Sequence, residues 1–360
     1  MADLMVVLTG IALGVISVVL VKYGNPGNMG YCIACFLRDI SGALGFHRAA
    51  VVQYLRPEIM GLSLGAFFSS MFTKEFRPRG GSSPILRFVL GVVFMIGALI
   101  FLGCPVRAFL RLAGGDWNAI YGILGLTAGI AAGFMFVKRG FTLGRATEAN
   151  KTSAYVIPLL MVGLLVLLFV SPAFVFRSAS GPGAAAAPTI LSLGAGLIMG
   201  ILAQRSRFCT IGGIRDFIFI GDSYLIKGTI ALVASAFVTN MAIGLFKAGF
   251  VGQPIAHTNG LWNFIGMAVA GMAAVLLGGC PLRQLVLSSE GNVDSGITVL
   301  GLLVGAAITH NFGLASSGTG VTNKGMIAAG ISLAILLAIG LFNSPAVFQT
   351  SGKSTNIGGR

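Results

Sequence analysis

Gly103-Cys104-Pro105-Val106-Arg107 closes one apolar run of the sequence, and Gly279-Cys280-Pro281-Leu282-Arg283 closes another 176 residues later. A second phrase is also written twice. Cys32 is followed at the sixth and seventh positions by Arg38 and Asp39, and Cys209 by Arg215 and Asp216 at the same spacing, an offset of 177. Gly115, Gly125 and Gly129 fall on Gly291, Gly301 and Gly305 at the 176-residue shift, so the register persists through the apolar runs between. The chain reads as a duplicated unit, and the duplication places four of its five cysteines, two in each half.

Of 360 residues 56% are apolar and only 9% charged, with a mean hydropathy of +0.92, whereas a soluble domain carries about 25% charged residues. These values exclude a soluble globule and imply an all-α polytopic membrane protein surrounded by lipid. The 53 glycines fit that class, because small residues let membrane helices approach closely. The net charge of +14 reads as basic anchors in cytoplasmic loops rather than a nucleic-acid surface, which needs a basic soluble face. Neither the five cysteines nor His47, His257 and His310 show disulfide-framework or metal-ligand spacing. No Walker A phrase is present. No metal, cofactor or enzymatic chemistry is therefore expected. Met1-Ala2-Asp3 lacks a basic leader, and the first apolar run is expected to be retained as a span.

A membrane helix needs roughly 20 apolar residues. Runs near that length lie at about 4–21, 56–73, 86–103, 117–138, 155–176, 189–204, 226–248, 262–279, 294–313 and 326–343, which predicts ten spans. Four stretches between them, 24–45, 104–115, 205–222 and 280–292, are too short to cross and carry the cysteine phrases. Basic residues concentrate in loops 74–87 and 138–154 and in the tail with Lys353 and Arg360, against Arg177, Lys247 and Lys324 in the other connectors. Both termini are then expected in the cytoplasm. Five crossings separate corresponding points of the two copies, an odd number that turns the second copy over. The expectation is an inverted-topology repeat shaped like an hourglass, with four short re-entrant helices dipping from both faces. Cys32, Cys35 and Cys104 would lie on the outer side, and Cys209 and Cys280 on the inner. The divisions follow: repeat 1 at 1–140, an extra span with its loops at 141–188, the inverted repeat 2 at 189–313, a tenth span at 314–344 and a mobile tail at 345–360. Residues 177–188, with Ser-Ala-Ser-Gly-Pro-Gly and four alanines, read as a flexible connector.

Proline suits the first turn of a helix, where its missing N–H is no loss. Pro105 and Pro281 should each open a helix of about ten residues with the cysteine at its cap. Such half-helices aim free N–H groups and a positive dipole end at one point, where an anion can rest. Sulfur there suits a substrate that carries terminal sulfur or selenium, with which a thiol exchanges hydrogen bonds or reacts. Arg107 and Arg283, one turn on, are candidates to face that anion. Arg38-Asp39 and Arg215-Asp216 are candidates for structural ion pairs. Cys32-Ile33-Ala34-Cys35 spells a C-x-x-C, which opens a second reading as a membrane thiol-disulfide oxidoreductase. A third is a small-anion channel whose cysteines only pack.

At these residues the sequence resembles the YeeE/YedE family of membrane sulfur-compound transporters, over nearly the whole chain. The matching elements are the two Gly-Cys-Pro-x-Arg phrases and Arg207-Phe208-Cys209 with Arg215-Asp216. The resemblance implies import of a thiosulfate-like anion relayed by cysteines at the constrictions, a role that falls first to Cys104 and Cys280 and then to Cys209 and Cys32. The stretch Tyr31 to Met60, with Cys35 and Gln53-Tyr54-Leu55-Arg56-Pro57-Glu58, looks like the family's selenium-associated branch. Cys35 and the tenth span depart from the simplest thiosulfate-importer pattern and leave a sulfur or a selenium substrate open. The resemblance also implies a bacterial inner-membrane location and a cytosolic sulfur or selenium carrier protein of the sulfurtransferase type.

Overall fold

The computed structural model describes residues 2–344, so the tail expected at 345–360 lies outside the described residues. In chain order the helices are α1 (Ala2–Lys22), α2 (Ile33–Ala43), α3 (Pro57–Phe72), α4 (Pro84–Phe101), α5 (Pro105–Ala113), α6 (Asn118–Lys138) and α7 (Lys151–Val170). They continue as α8 (Thr189–Ser206), α9 (Thr210–Phe219), α10 (Tyr224–Ala242), α11 (Gly260–Leu277), α12 (Pro281–Ser289), α13 (Val293–Asn311) and α14 (Asn323–Phe342). A short antiparallel pair, β1 (Arg79–Gly80) with β2 (Thr147–Glu148), joins two loops. The chain is a mostly helical, polytopic membrane protein.

Among the described residues, nine helical segments of 18 or more residues are apolar enough to cross a membrane. Of the ten expected spans, the one at 56–73 falls short of that length. Pro57 opens α3 at its first turn, and the helix has 16 residues, about 24 Å at 1.5 Å per residue against a hydrocarbon core of roughly 30 Å. The helix starts late because Arg56 is held extended and tied to other partners, described below. The four short stretches become α2, α5, α9 and α12.

Long helices pack in pairs: α1 along α10, α3 along α8, α4 along α13 and α6 along α11, with α4 against α11 between them. Moving each element by one repeat exchanges these pairs, α1–α10 with α8–α3 and α4–α13 with α11–α6. The exchange holds at single residues. A Cβ on Gly125 would strike the backbone of Phe264, and one on Gly301 the backbone of Phe88; Gly129 meets Ala268 in the same way as Gly305 meets Val92. Each partner is again displaced by 176 residues. Only hydrogen at these glycines allows the backbones to touch.

The short helices sit inside this frame. Every residue of α2 is buried, as are eight of the nine in α5. The connector 177–188 differs from its expected flexibility. The carbonyls of Pro182 and Ala185 accept from Arg56, the amide of Ala187 donates to Asn25, and the Ser178 hydroxyl accepts from the amide of Gln53. Small residues here let the backbone lie close enough to serve buried polar side chains, a tertiary use that composition does not reveal.

Candidate functional site

Each of the four repeated cysteines is the residue immediately before a short helix: Cys32 before α2, Cys104 before α5, Cys209 before α9 and Cys280 before α12. All four have extended backbone there, which turns the chain into the helix. In α5 and α12 proline fills the first helical position, as its fixed φ favours. In α2 and α9 the thiol sulfur itself accepts the N–H three residues on, from Cys35 and Gly212, at 3.4 Å in both. The five cysteines are buried and free of disulfides.

At one end three thiols meet. Cys32 Sγ lies 2.8 Å from Cys35 Sγ and 3.7 Å from Cys104 Sγ. Arg107, fully buried, donates to Cys35 Sγ at 3.3 Å, to the Asn28 carbonyl at 2.7 Å, to the Ile255 carbonyl at 3.0 Å and to the Leu102 carbonyl. Leu102 takes a left-handed φ of 65°, turning the chain out of α4 so that its carbonyl meets this guanidinium. The arrangement joins two helix N-termini, three polarizable sulfurs and one cation. Such a set can hold a small anion with a terminal chalcogen atom.

The other end has two thiols. Cys209 Sγ accepts from the Cys280 amide at 3.5 Å and lies 3.8 Å from where a Cβ on Gly279 would be. Gly212 stands where the first end has Cys35, so the third thiol is absent. Arg283 is directed to Glu290, with Nη1 donating to Oε1 at 3.4 Å. The two arginines that sequence symmetry equates therefore have different partners.

Arg38 and Asp39 form the expected pair, with Nη2 2.7 Å from Oδ1. Arg56 adds a second cation at 2.8 Å from Oδ2, stacked over the rings of Phe36 and Tyr54. Arg215 and Asp216 pair at 2.7 Å at a more exposed site. Two histidines act as pins in the connectors. His47 Nε2 lies 3.0 Å from the Arg38 carbonyl, and His257 Nε2 2.8 Å from that of Ile100. Burial pushes both imidazoles below their ordinary value, so both are neutral at pH 7.

Several buried ionic residues were not singled out by sequence. Arg111 and Asp116 pair at 2.6 Å with both side chains fully buried. Glu58 accepts from Asn25 and Ser192. Glu290, 2% exposed, draws in three arginines. The signal was available: only ten acidic residues occur in the chain, and an acid beside an apolar run warrants a search for its partner.

Residues 205–351, which include Cys209 and Cys280, match the model of the family described as "Sulphur transport". Two curated relatives are both named "Thiosulfate transporter TsuA". The protein of Escherichia coli K12 is 28% identical over 117 residues, 32% of this chain and 32% of its own length. That of Spirochaeta thermophila is 32% identical over 119 residues, 32% of this chain and 34% of its own. The match thus spans about a third of each relative. Both are named as transporters rather than enzymes. Over residues 205–351 the chain is similar to the sulphur transport family, in agreement with its YeeE/YedE resemblance.

Proposed function

We propose that the protein is a permease that imports a small sulfur- or selenium-bearing anion across the bacterial inner membrane, with both termini in the cytoplasm. Thiosulfate is the first candidate because the relatives are named for it. The observation that carries the reading is the placing of four buried thiols at the caps of four short helices, gathered as two clusters. The anion passes from Cys32, Cys35 and Cys104, beside Arg107, to Cys209 and Cys280, beside Arg283. The exchange of helix pairs by a 176-residue shift supports an inverted repeat with the path between its halves. Cys35 and the Tyr31 to Met60 stretch favour a selenium species as the alternative cargo. A cytosolic carrier of the sulfurtransferase type would trap the product.

One observation favours a second reading, a thiol-disulfide oxidoreductase: the Cys32 and Cys35 sulfurs are 2.8 Å apart. Uptake of labelled thiosulfate and selenite by cells lacking their other importers separates the two. Transport predicts wild-type uptake that is lost in Cys104→Ala and in Cys280→Ala. Normal expression of both variants with unchanged uptake refutes the relay.

A further inference from the structure

We infer that Glu290 is a charge-cancelling counter-ion of the Cys209–Cys280 end, which lowers anion affinity there and lets the anion leave that end. The inference rests on the transport reading above.

Each half places a guanidinium at the third position after its Gly-Cys-Pro cysteine, Arg107 and Arg283. The carboxylates near them differ. At the 176-residue shift Glu290 falls on Gly114, Asn292 on Asp116 and Leu287 on Arg111. In the first half Asp116 is already engaged, since Arg111 Nε donates to it at 2.6 Å and the Asn118 amide to its other oxygen. Among the described residues Arg107 has no carboxylate within ion-pair reach; its donors end on three backbone carbonyls and one thiol. Carbonyl dipoles satisfy its hydrogen bonds without cancelling its charge.

In the second half leucine and asparagine stand at the positions of Arg111 and Asp116, and the buried carboxylate comes instead from Glu290, where the first half has Gly114. It lies 3.4 Å from Arg283, 3.3 Å from Arg207, which also meets the part-exposed Glu75 at 3.0 Å, and 3.9 Å from Arg79. Arg207 and Arg283 bracket the cysteines, Arg207 two residues before Cys209 and Arg283 three after Cys280. At an effective dielectric of about 20, one unit charge several ångströms from a bound anion changes its affinity by about tenfold or more. Glu290 offsets part of the positive charge that Arg79, Arg207 and Arg283 bring to this end, so the end holds an anion less tightly than it would without the carboxylate and can release it. Glu290 acts through the arginines and is a positioning residue.

The test uses the full-length purified protein, with thiosulfate binding measured by calorimetry and uptake measured in proteoliposomes. Glu290→Gln is expected to bind about tenfold tighter and to show a lower maximal rate at a lower half-saturating concentration. Glu290→Asp, which keeps the charge, should stay within about threefold of wild type. Arg79→Gln, at a side chain 41% exposed, should weaken binding by about threefold and serves if Glu290→Gln does not fold. Wild-type affinity or weaker in Glu290→Gln, or unchanged or tighter binding in Arg79→Gln, overturns the inference alone. Wild-type vesicles that take up no thiosulfate, sulfite or selenite overturn the transport reading and the inference with it.

Discussion

Replacing Asp39 by asparagine removes the one carboxylate that two buried guanidiniums share. Arg38 donates to Oδ1 through Nε at 2.9 Å and Nη2 at 2.7 Å, and Arg56 donates to Oδ2 at 2.8 Å. The side chains of Arg38 and Arg56 are 3% and 0% exposed. Breaking a buried ion pair from one side costs about 3–5 kcal/mol, because the remaining charge stays out of water. The same substitution at Asp216 occurs in the same sequence phrase but a different setting. Arg215 is 29% exposed and Asp216 15%, and a partly exposed pair contributes about 0–1 kcal/mol. Asp39→Asn should therefore cost at least about 2 kcal/mol more than Asp216→Asn. Thermal unfolding of both variants in one detergent, followed by the reactivity of the buried thiols, measures the ranking. Equal midpoints, or a larger loss in Asp216→Asn, would refute the argument that burial rather than sequence motif sets the value of this pair.

Other substitutions test other parts of the account. Arg107→Lys replaces a planar fork that reaches four acceptors by a point charge, and uptake should fall at least about tenfold with the protein still folded, as judged by size-exclusion profile. Gly129→Ala forces a Cβ into the Ala268 backbone and should destabilise by about 1–3 kcal/mol. Gly163→Ala, with nothing within 4 Å, should be neutral or stabilise by up to about 1 kcal/mol. Cys35→Ser should retain most thiosulfate uptake, because the duplication omits this thiol; abolished uptake would instead favour the oxidoreductase reading.

The elements were legible in the sequence where the physics is local. Pro105 and Pro281 announce helix starts because a missing N–H is tolerated only in the first turn, and the cysteines before them are caps in the structure. Matching glycines 176 residues apart marked helix crossings because only a hydrogen side chain fits between touching backbones. What depended on tertiary partners was hidden. Arg107 and Arg283 look equivalent in sequence, yet Arg283 meets a carboxylate because Glu290 stands where the first half has Gly114, while the first half's Asp116 is taken by Arg111. The connector 177–188 has the composition of a mobile loop, but its carbonyls and amides serve Arg56, Asn25 and Gln53. The same Arg-Asp phrase pairs at 2.7 Å in both copies but is buried in one and partly exposed in the other.

The central claim is that an anion rests on the thiols at the tips of the broken helices. Crystals of the protein grown with selenosulfate, measured at the selenium edge, locate a bound anion by its own scattering. The account predicts an anomalous peak in contact with the cluster of Cys32, Cys35 and Cys104 or with that of Cys209 and Cys280. A bound anion seen only elsewhere, with both thiol clusters closed in side-chain packing, would contradict it.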